Sequence, residues 1–209
     1  MTRKNTSPQT ALIHPSRPVP GGFRSLVPGT ERASTVLFEN IDKWLHRSGF
    51  DESIYTYGTS GTPTTRDLQN RLAEWEGGFA TVLFPSGLAA VAYAFLPFVA
   101  PGDHVLIPAN VYDPVKTLAN GLLKRMNVTV EQYDPLVGAG IAAQIKPNTR
   151  LVWVETPGSI TMEVSDLPAI AAAAHAAGAL VAIDNTYSAG WYLRAFELGA
   201  DISVHALTK

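Results

Sequence analysis

Leu180-Val181-Ala182-Ile183-Asp184 is a run of four apolar residues closed by a carboxylate. It does not alternate apolar with polar, so a strand made from it must be covered on both faces. Working outward, the same form recurs at Leu151-Val152-Trp153-Val154, His104-Val105-Leu106-Ile107, Val128-Thr129-Val130, Thr81-Val82-Leu83-Phe84 and Ile202-Ser203-Val204. Helical stretches separate most of these runs, over 88–98, 114–126, 141–145 and 167–177. A further helix over 65–76 ends at Gly77-Gly78. Buried strands that alternate with helices imply an α/β fold, a three-layer αβα arrangement around a mostly parallel sheet.

Residues 1–62 read differently. Pro8, Pro15, Pro18, Pro20 and Pro28, with Gly21, Gly22 and Gly29, leave no room for long helices or central strands. Phe38, Trp44, Phe50, Tyr55 and Tyr57 give the stretch too much apolar surface for a solvated tail. The expected organisation is an extended arm over 1–62, with a short amphipathic helix over 34–48, that packs on a neighbouring subunit. A large domain over 63–209 follows.

Composition narrows the function. Of 209 residues, 46% are hydrophobic and 16% charged, with a net charge of −2, which fits a globular chain and offers no basic stripe for nucleic acid. There is no cysteine, which excludes disulfides, thiolate catalysis and thiolate metal ligands within these residues. The five histidines show no pair at metal-ligand spacing, so no metal is expected. The first residues lack the apolar stretch of a secretory signal, and the longest apolar runs are broken by Pro97, His175 or Gly178. A cytoplasmic protein without membrane contact is the expectation.

In open parallel sheets, ligands bind beyond the carboxyl ends of the strands. Polar and aromatic residues gather there: Pro85-Ser86-Gly87, Asn110-Val111-Tyr112, Glu155-Thr156-Pro157-Gly158-Ser159, Asp184-Asn185-Thr186-Tyr187 and His205 to Lys209. Gly87, between a strand and a helix, suits close approach of a phosphate to free N–H groups, or serves only the turn. Asp184 needs a partner: a helix cap, a structural arginine, or the protonated nitrogen of a pyridine cofactor. Gly138-Ala139-Gly140-Ile141-Ala142-Ala143 imitates a dinucleotide fingerprint, but Asp134-Pro135-Leu136-Val137 separates it from the preceding strand, so a loop leading into a helix is expected instead.

Taken together, Leu72-Ala73-Glu74-Trp75-Glu76-Gly77-Gly78, Phe84-Pro85-Ser86-Gly87-Leu88-Ala89-Ala90, Pro101-Gly102-Asp103-His104-Val105-Leu106, Ile183-Asp184-Asn185-Thr186 and Ala206-Leu207-Thr208-Lys209 resemble the Cys/Met-metabolism enzymes that depend on pyridoxal 5′-phosphate (PLP). The resemblance runs from about residue 30 to Lys209. It implies the fold type I architecture of the aspartate-aminotransferase-like PLP enzymes, here expected to be incomplete at its C-terminus. It implies that Lys209 is the Schiff-base lysine, that Asp184 holds the pyridinium proton and that Tyr112 stacks on the ring. The N–H groups of Gly87 and Leu88, with Ser86 and the Thr208 hydroxyl, would hold the phosphate. Tyr57 and Thr59 would reach the phosphate of a neighbouring subunit in a homo-oligomer, a dimer of active dimers.

Family members usually carry arginine where this chain has Thr59, and a small residue where it has Leu207. Glu155-Thr156-Pro157-Gly158-Ser159-Ile160-Thr161-Met162-Glu163-Val164 looks like the cystathionine β-lyase branch, without the Asn-Pro pair usual in γ-synthases and γ-lyases. The implied activity is β-elimination from a sulfur amino acid, cystathionine giving homocysteine, pyruvate and ammonia. The alternatives are γ-elimination or γ-replacement in the same family, and a non-catalytic PLP-binding fragment or pseudoenzyme.

Overall fold

A computed structural model describes residues 26–47 and 54–209. Pro8, Pro15, Pro18, Pro20, Gly21, Gly22, Phe50 and the expected helix end at Ser48 lie outside them. The chain divides into two compact units, Met1–Glu74 and Trp75–Lys209.

In the first unit the helix expected over 34–48 is shorter, α1 at Ile41–Leu45, and buries no residue. The reason lies at Asn40, whose side chain accepts the N–H of Lys43 and starts the helix there. The segments on either side of α1 are laced together. Gly58 donates its N–H to the Ser34 carbonyl at 2.7 Å, and the Thr64 hydroxyl donates to the Gly29 carbonyl at 3.0 Å. A Cβ on Gly58 would stand 1.7 Å from the Ala33 carbonyl oxygen, so only glycine allows this approach. Helix α2, Pro63–Glu76, crosses the boundary between the units.

The second unit holds one sheet. Its strands are β1 (His104–Pro108), β2 (Thr129–Tyr133), β3 (Thr149–Glu155), β4 (Leu180–Asp184) and β5 (Ile202–Val204), all parallel in the order β2-β1-β3-β4-β5. Two cores flank it. On one face Val105, Ile107, Leu151, Trp153 and Ala182 pack with α3 (Gly87–Phe95) and α4 (Asp113–Leu118), which a π turn prolongs to Leu123. On the other, Leu106, Val152, Val154, Val181 and Ile183 pack with α5 (Leu167–Ala176) and the 3-10 turns at Gly138–Ala143 and Ala195–Leu198. Successive residues of the runs in β1, β3 and β4 thus face opposite cores, as the two-residue period of a strand demands. The expected three-layer parallel fold is what forms.

Two local expectations change. Thr81–Phe84 is not a strand; it leads as coil into α3, with Val82 exposed and the Phe84 ring 4.9 Å from Tyr93. A four-residue apolar run cannot by itself distinguish a ladder from a packed connection. Residues 138–143 form a 3-10 turn rather than a helix over 141–145, and no dinucleotide turn arises there. Helix α3 stops just past Phe95: Leu96 keeps helical dihedrals and donates to the Ala92 carbonyl, but Pro97 has no N–H with which to continue the ladder.

The order of the strands creates a switch point. The chain leaves β1 toward β2 on one side and returns to β3 on the other, so connections diverge beyond the carboxyl ends of β1 and β3. Crevices of this kind are where doubly wound sheets bind ligands.

Phe95 is fully buried, its ring 5.0 Å from that of Trp153. Replacing Phe95 with alanine should cost roughly 3–5 kcal/mol. Urea unfolding of parent and variant, with unchanged m-value, checks this.

Candidate active site

Helix α3 begins at Gly87, and Ser86 caps it by accepting the Ala89 N–H at 3.1 Å. The N–H groups of Gly87 and Leu88, the first two of the helix, have no carbonyl within it to meet. They carry the positive end of the helix dipole and suit an anion. A Cβ on Gly87 would stand 3.0 Å from Ala206 Cβ, so this helix start lies against the turn that carries Thr208 and Lys209. Within that turn the Lys209 N–H donates to the Ala206 carbonyl at 3.4 Å, and both Thr208 and Lys209 are exposed.

Asp184 ends β4, half-buried, between Glu155 on β3 and Val204 on β5. Its Oδ1 accepts the Thr186 N–H at 2.9 Å. The Thr186 hydroxyl in turn accepts the Ala206 N–H at 2.9 Å, and the Asn185 N–H donates to the Val204 carbonyl at 2.9 Å. Three consecutive residues therefore join the end of β4 to the lysine turn. Asp184, Ser86, Gly87, Leu88, Thr208 and Lys209 all belong to this one end of the sheet.

Tyr112 precedes α4, its ring partly exposed. Its backbone is held from below: the Tyr112 N–H donates to Glu155 Oε2 at 2.9 Å. Glu155 is a buried carboxylate that the sequence reading gave no role. Burial pushes its pKa up to about 7; the Tyr112 N–H opposes this, the Asp184 charge adds to it, and Lys116 opposes it. The signal was available, because Glu155 closes an apolar run as Asp184 does.

The loop after β3 is locked on β1. The Asn110 side-chain amide donates to Glu163 Oε2 at 2.8 Å, and the Thr161 hydroxyl donates to the same carboxylate. These two bonds hold the Glu163 pKa below the usual carboxylate range, Thr161 contributing most. A Cβ on Gly158 would stand 1.9 Å from Asn110 Nδ2, so the amide occupies the place a side chain would need.

Tyr57 and Thr59 are in the first unit, where Tyr57 precedes the 3-10 turn Gly58–Ser60 and Thr59 lies in it. The Arg66 guanidinium donates to the Ser60 carbonyl at 3.1 Å, next to Thr59. Among the described residues no group of three or more His, Cys, Asp or Glu side chains could hold a metal, and no helix is long and apolar enough to cross a membrane.

The chemistry of this end fits PLP. A helix start offers free N–H groups for a phosphate, a half-buried carboxylate offers a partner for a pyridinium, an aromatic ring stands nearby, and an amine follows β5. Comparison with known proteins agrees. The sequence pattern of the Cys/Met metabolism PLP-dependent enzymes matches residues 9–209, and the chain belongs to that family. It is 42% identical over 183 residues to the cystathionine beta-lyase MetC of Escherichia coli, covering 86% of this chain and 46% of that one. The metY protein of Campylobacter jejuni, solved with N′-pyridoxyl-lysine-5′-monophosphate, superposes with a TM-score of 0.86 at 26% identity, over 98% of this chain and 50% of that one. The cystathionine gamma-lyase of Lactobacillus plantarum, solved with L-serine, gives a TM-score of 0.74 at 31% identity, over 83% and 43%. The chain spans about half the length of the curated relatives it matches.

The Glu155 shift has a definite sign. Its folded pKa lies above the ordinary value of 4.5, so its contribution to stability is full below pH 4.5 and is lost as pH rises through about 7. Glu155→Gln keeps an acceptor for the Tyr112 N–H but cannot ionise. In PLP-free protein, the melting temperature of the parent should fall relative to that of the variant as pH rises through this window. Parallel curves would contradict the assignment.

Proposed function

We propose that the protein containing this chain is a PLP-dependent carbon–sulfur β-lyase that cleaves cystathionine to homocysteine, pyruvate and ammonia. One observation carries the reading: the start of α3, the Asp184 carboxylate and the turn ending at Lys209 are joined at one end of the sheet through Gly87, Thr186 and Ala206. When bound, PLP supplies an electron sink for charge that develops at the substrate Cα.

The residues of the chain supply the rest. The N–H groups of Gly87 and Leu88 and the hydroxyls of Ser86 and Thr208 hold the phosphate. Asp184 keeps a proton on the ring nitrogen, and its bond from the Thr186 N–H fixes the carboxylate for that task. Tyr112, its backbone pinned by Glu155, would face the ring. Lys209, in the turn after β5, would hold the cofactor through its side-chain amine. When not engaged with the cofactor, that amine would serve as the base for the substrate Cα proton in a reaction that expels a thiolate from Cβ. Residues 1–62 act as an arm that brings Tyr57 and Thr59 to the phosphate of a neighbouring subunit, and 63–209 belong to the PLP-binding domain. The assembly is a cytoplasmic homo-oligomer, a dimer of active dimers.

The loop over 156–164 bears on the reaction type. It follows β3 at the switch point, and the fit of Asn110 over Gly158 fixes its path without an Asn-Pro pair. This favours β-elimination. The likeness to the Lactobacillus cystathionine gamma-lyase keeps γ-elimination as the second reading.

Two measurements test the proposal. Borohydride reduction of the PLP-loaded protein, followed by peptide mapping, should place the pyridoxyl group on Lys209; a label on Lys116, Lys124 or Lys146 would refute the assignment. With cystathionine as substrate, pyruvate should exceed 2-oxobutyrate, whereas predominant 2-oxobutyrate would overturn the branch.

A further inference from the structure

We infer that Glu76 is a positioning residue for this site: its buried carboxylate fastens the strand end that carries Asp184 to the turn that carries Lys209. The inference rests on the reading of Asp184 and Lys209 given above. Glu76 is the last residue of α2 and is 4% exposed. Its location is doubly unfavourable, since burial costs a carboxylate its hydration and the carboxyl end of a helix repels negative charge. Local helix stability therefore gives no reason for an acid here. The compensation comes from donors on two other elements.

From the β4 side, Asn185 is fully buried and donates from Nδ2 to Glu76 Oε1 at 3.0 Å and to the Leu193 carbonyl at 3.1 Å. Its Oδ1 accepts the Ser188 hydroxyl. From the β5 side, the Ser203 hydroxyl donates to Glu76 Oε2 at 3.4 Å, and His205 Nε2 pairs with Oε1. Asn185 directly follows Asp184, and His205 directly precedes Ala206, the residue against which Gly87 rests. One carboxylate thus holds the neighbours of the candidate ring partner and of the lysine turn.

The anchor itself is held in place. Trp75 stacks on Trp191 with centroids 5.3 Å apart and planes 9° from parallel, and its indole N–H donates to the Ala189 carbonyl at 2.8 Å. Gly190 has a φ of +67°, and a Cβ there would stand 2.5 Å from Glu76 Oε1. The loop after Asp184 therefore closes over the carboxylate, and only a glycine lets it do so. Glu76 is not among the residues assigned to the phosphate or the ring nitrogen; it acts through Asn185 and His205.

The test uses the PLP-loaded protein from its complete reading frame, with Glu76→Gln. The glutamine keeps an acceptor for Asn185 but cannot form an ion pair with His205. A folded variant should lose PLP about tenfold faster and show an altered visible circular dichroism of the bound cofactor, with kcat on cystathionine lowered about 10- to 100-fold and KM nearly unchanged. A merely structural role would lower the melting temperature and leave the visible signal and the rate of PLP loss at parental values; that result overturns the inference. If Glu76→Gln does not fold, His205→Gln removes one arm of the network and is read by the same measurements, with parental values again overturning it. A pyridoxyl label away from Lys209 in the parent would instead overturn the underlying site assignment, and the inference with it.

Discussion

Everything at the candidate site depends on the parallel register of three strands. Glu155 on β3 lies beside Asp184 on β4, which lies beside Val204 on β5. Because the strands run the same way, their carboxyl ends finish at one level, and whatever follows each strand is delivered to the same place. A shift of one residue in β4 would exchange its faces, turning Ile183 out of its core and Asp184 away from its neighbours. The apolar runs resist such a shift, since Val152, Val181 and Ile183 serve one core while Trp153 and Ala182 serve the other. Hydrophobic packing below thus fixes the positions of charged groups above.

Two buried carboxylates at this end meet the cost of desolvation in different ways. Glu76 gathers donors from Asn185, Ser203 and His205. Glu155 has one N–H, from Tyr112, and Asp184 as its neighbour; its pKa rises to about 7. The first solution fixes geometry, because three directional bonds allow few arrangements. The second leaves a group whose charge depends on its surroundings.

The layers of the fold were legible in the sequence because a buried parallel strand has a plain signature, and five of the six apolar runs are strands. Thr81–Phe84 showed the same signature without forming one, since periodicity over four residues says nothing about pairing. At the candidate site, Gly87, Asp184 and Lys209 were singled out because each follows or closes an apolar run, while the role expected of Lys209 came from the resemblance to the family. Glu155 closes one too, but its partner is a backbone N–H 43 residues away, invisible to spacing. The role of Glu76 was hidden for a related reason: it ends a helix rather than a strand, and its partner Asn185 is 109 residues distant. The hold of Asn110 on Gly158 likewise exists only once β1 and β3 lie side by side.

The elevated Glu155 also bears on how this end of the sheet would respond to an approaching cation. Near neutrality this acid is divided between its two forms, while Asp184 beside it disfavours a second negative charge. A cation bound next to Asp184 would offset that repulsion and draw the Glu155 pKa down, while burial, the larger cause, would still hold it up. Cation binding there would then be accompanied by fractional proton release, visible as a dependence of the binding heat on the ionisation enthalpy of the buffer.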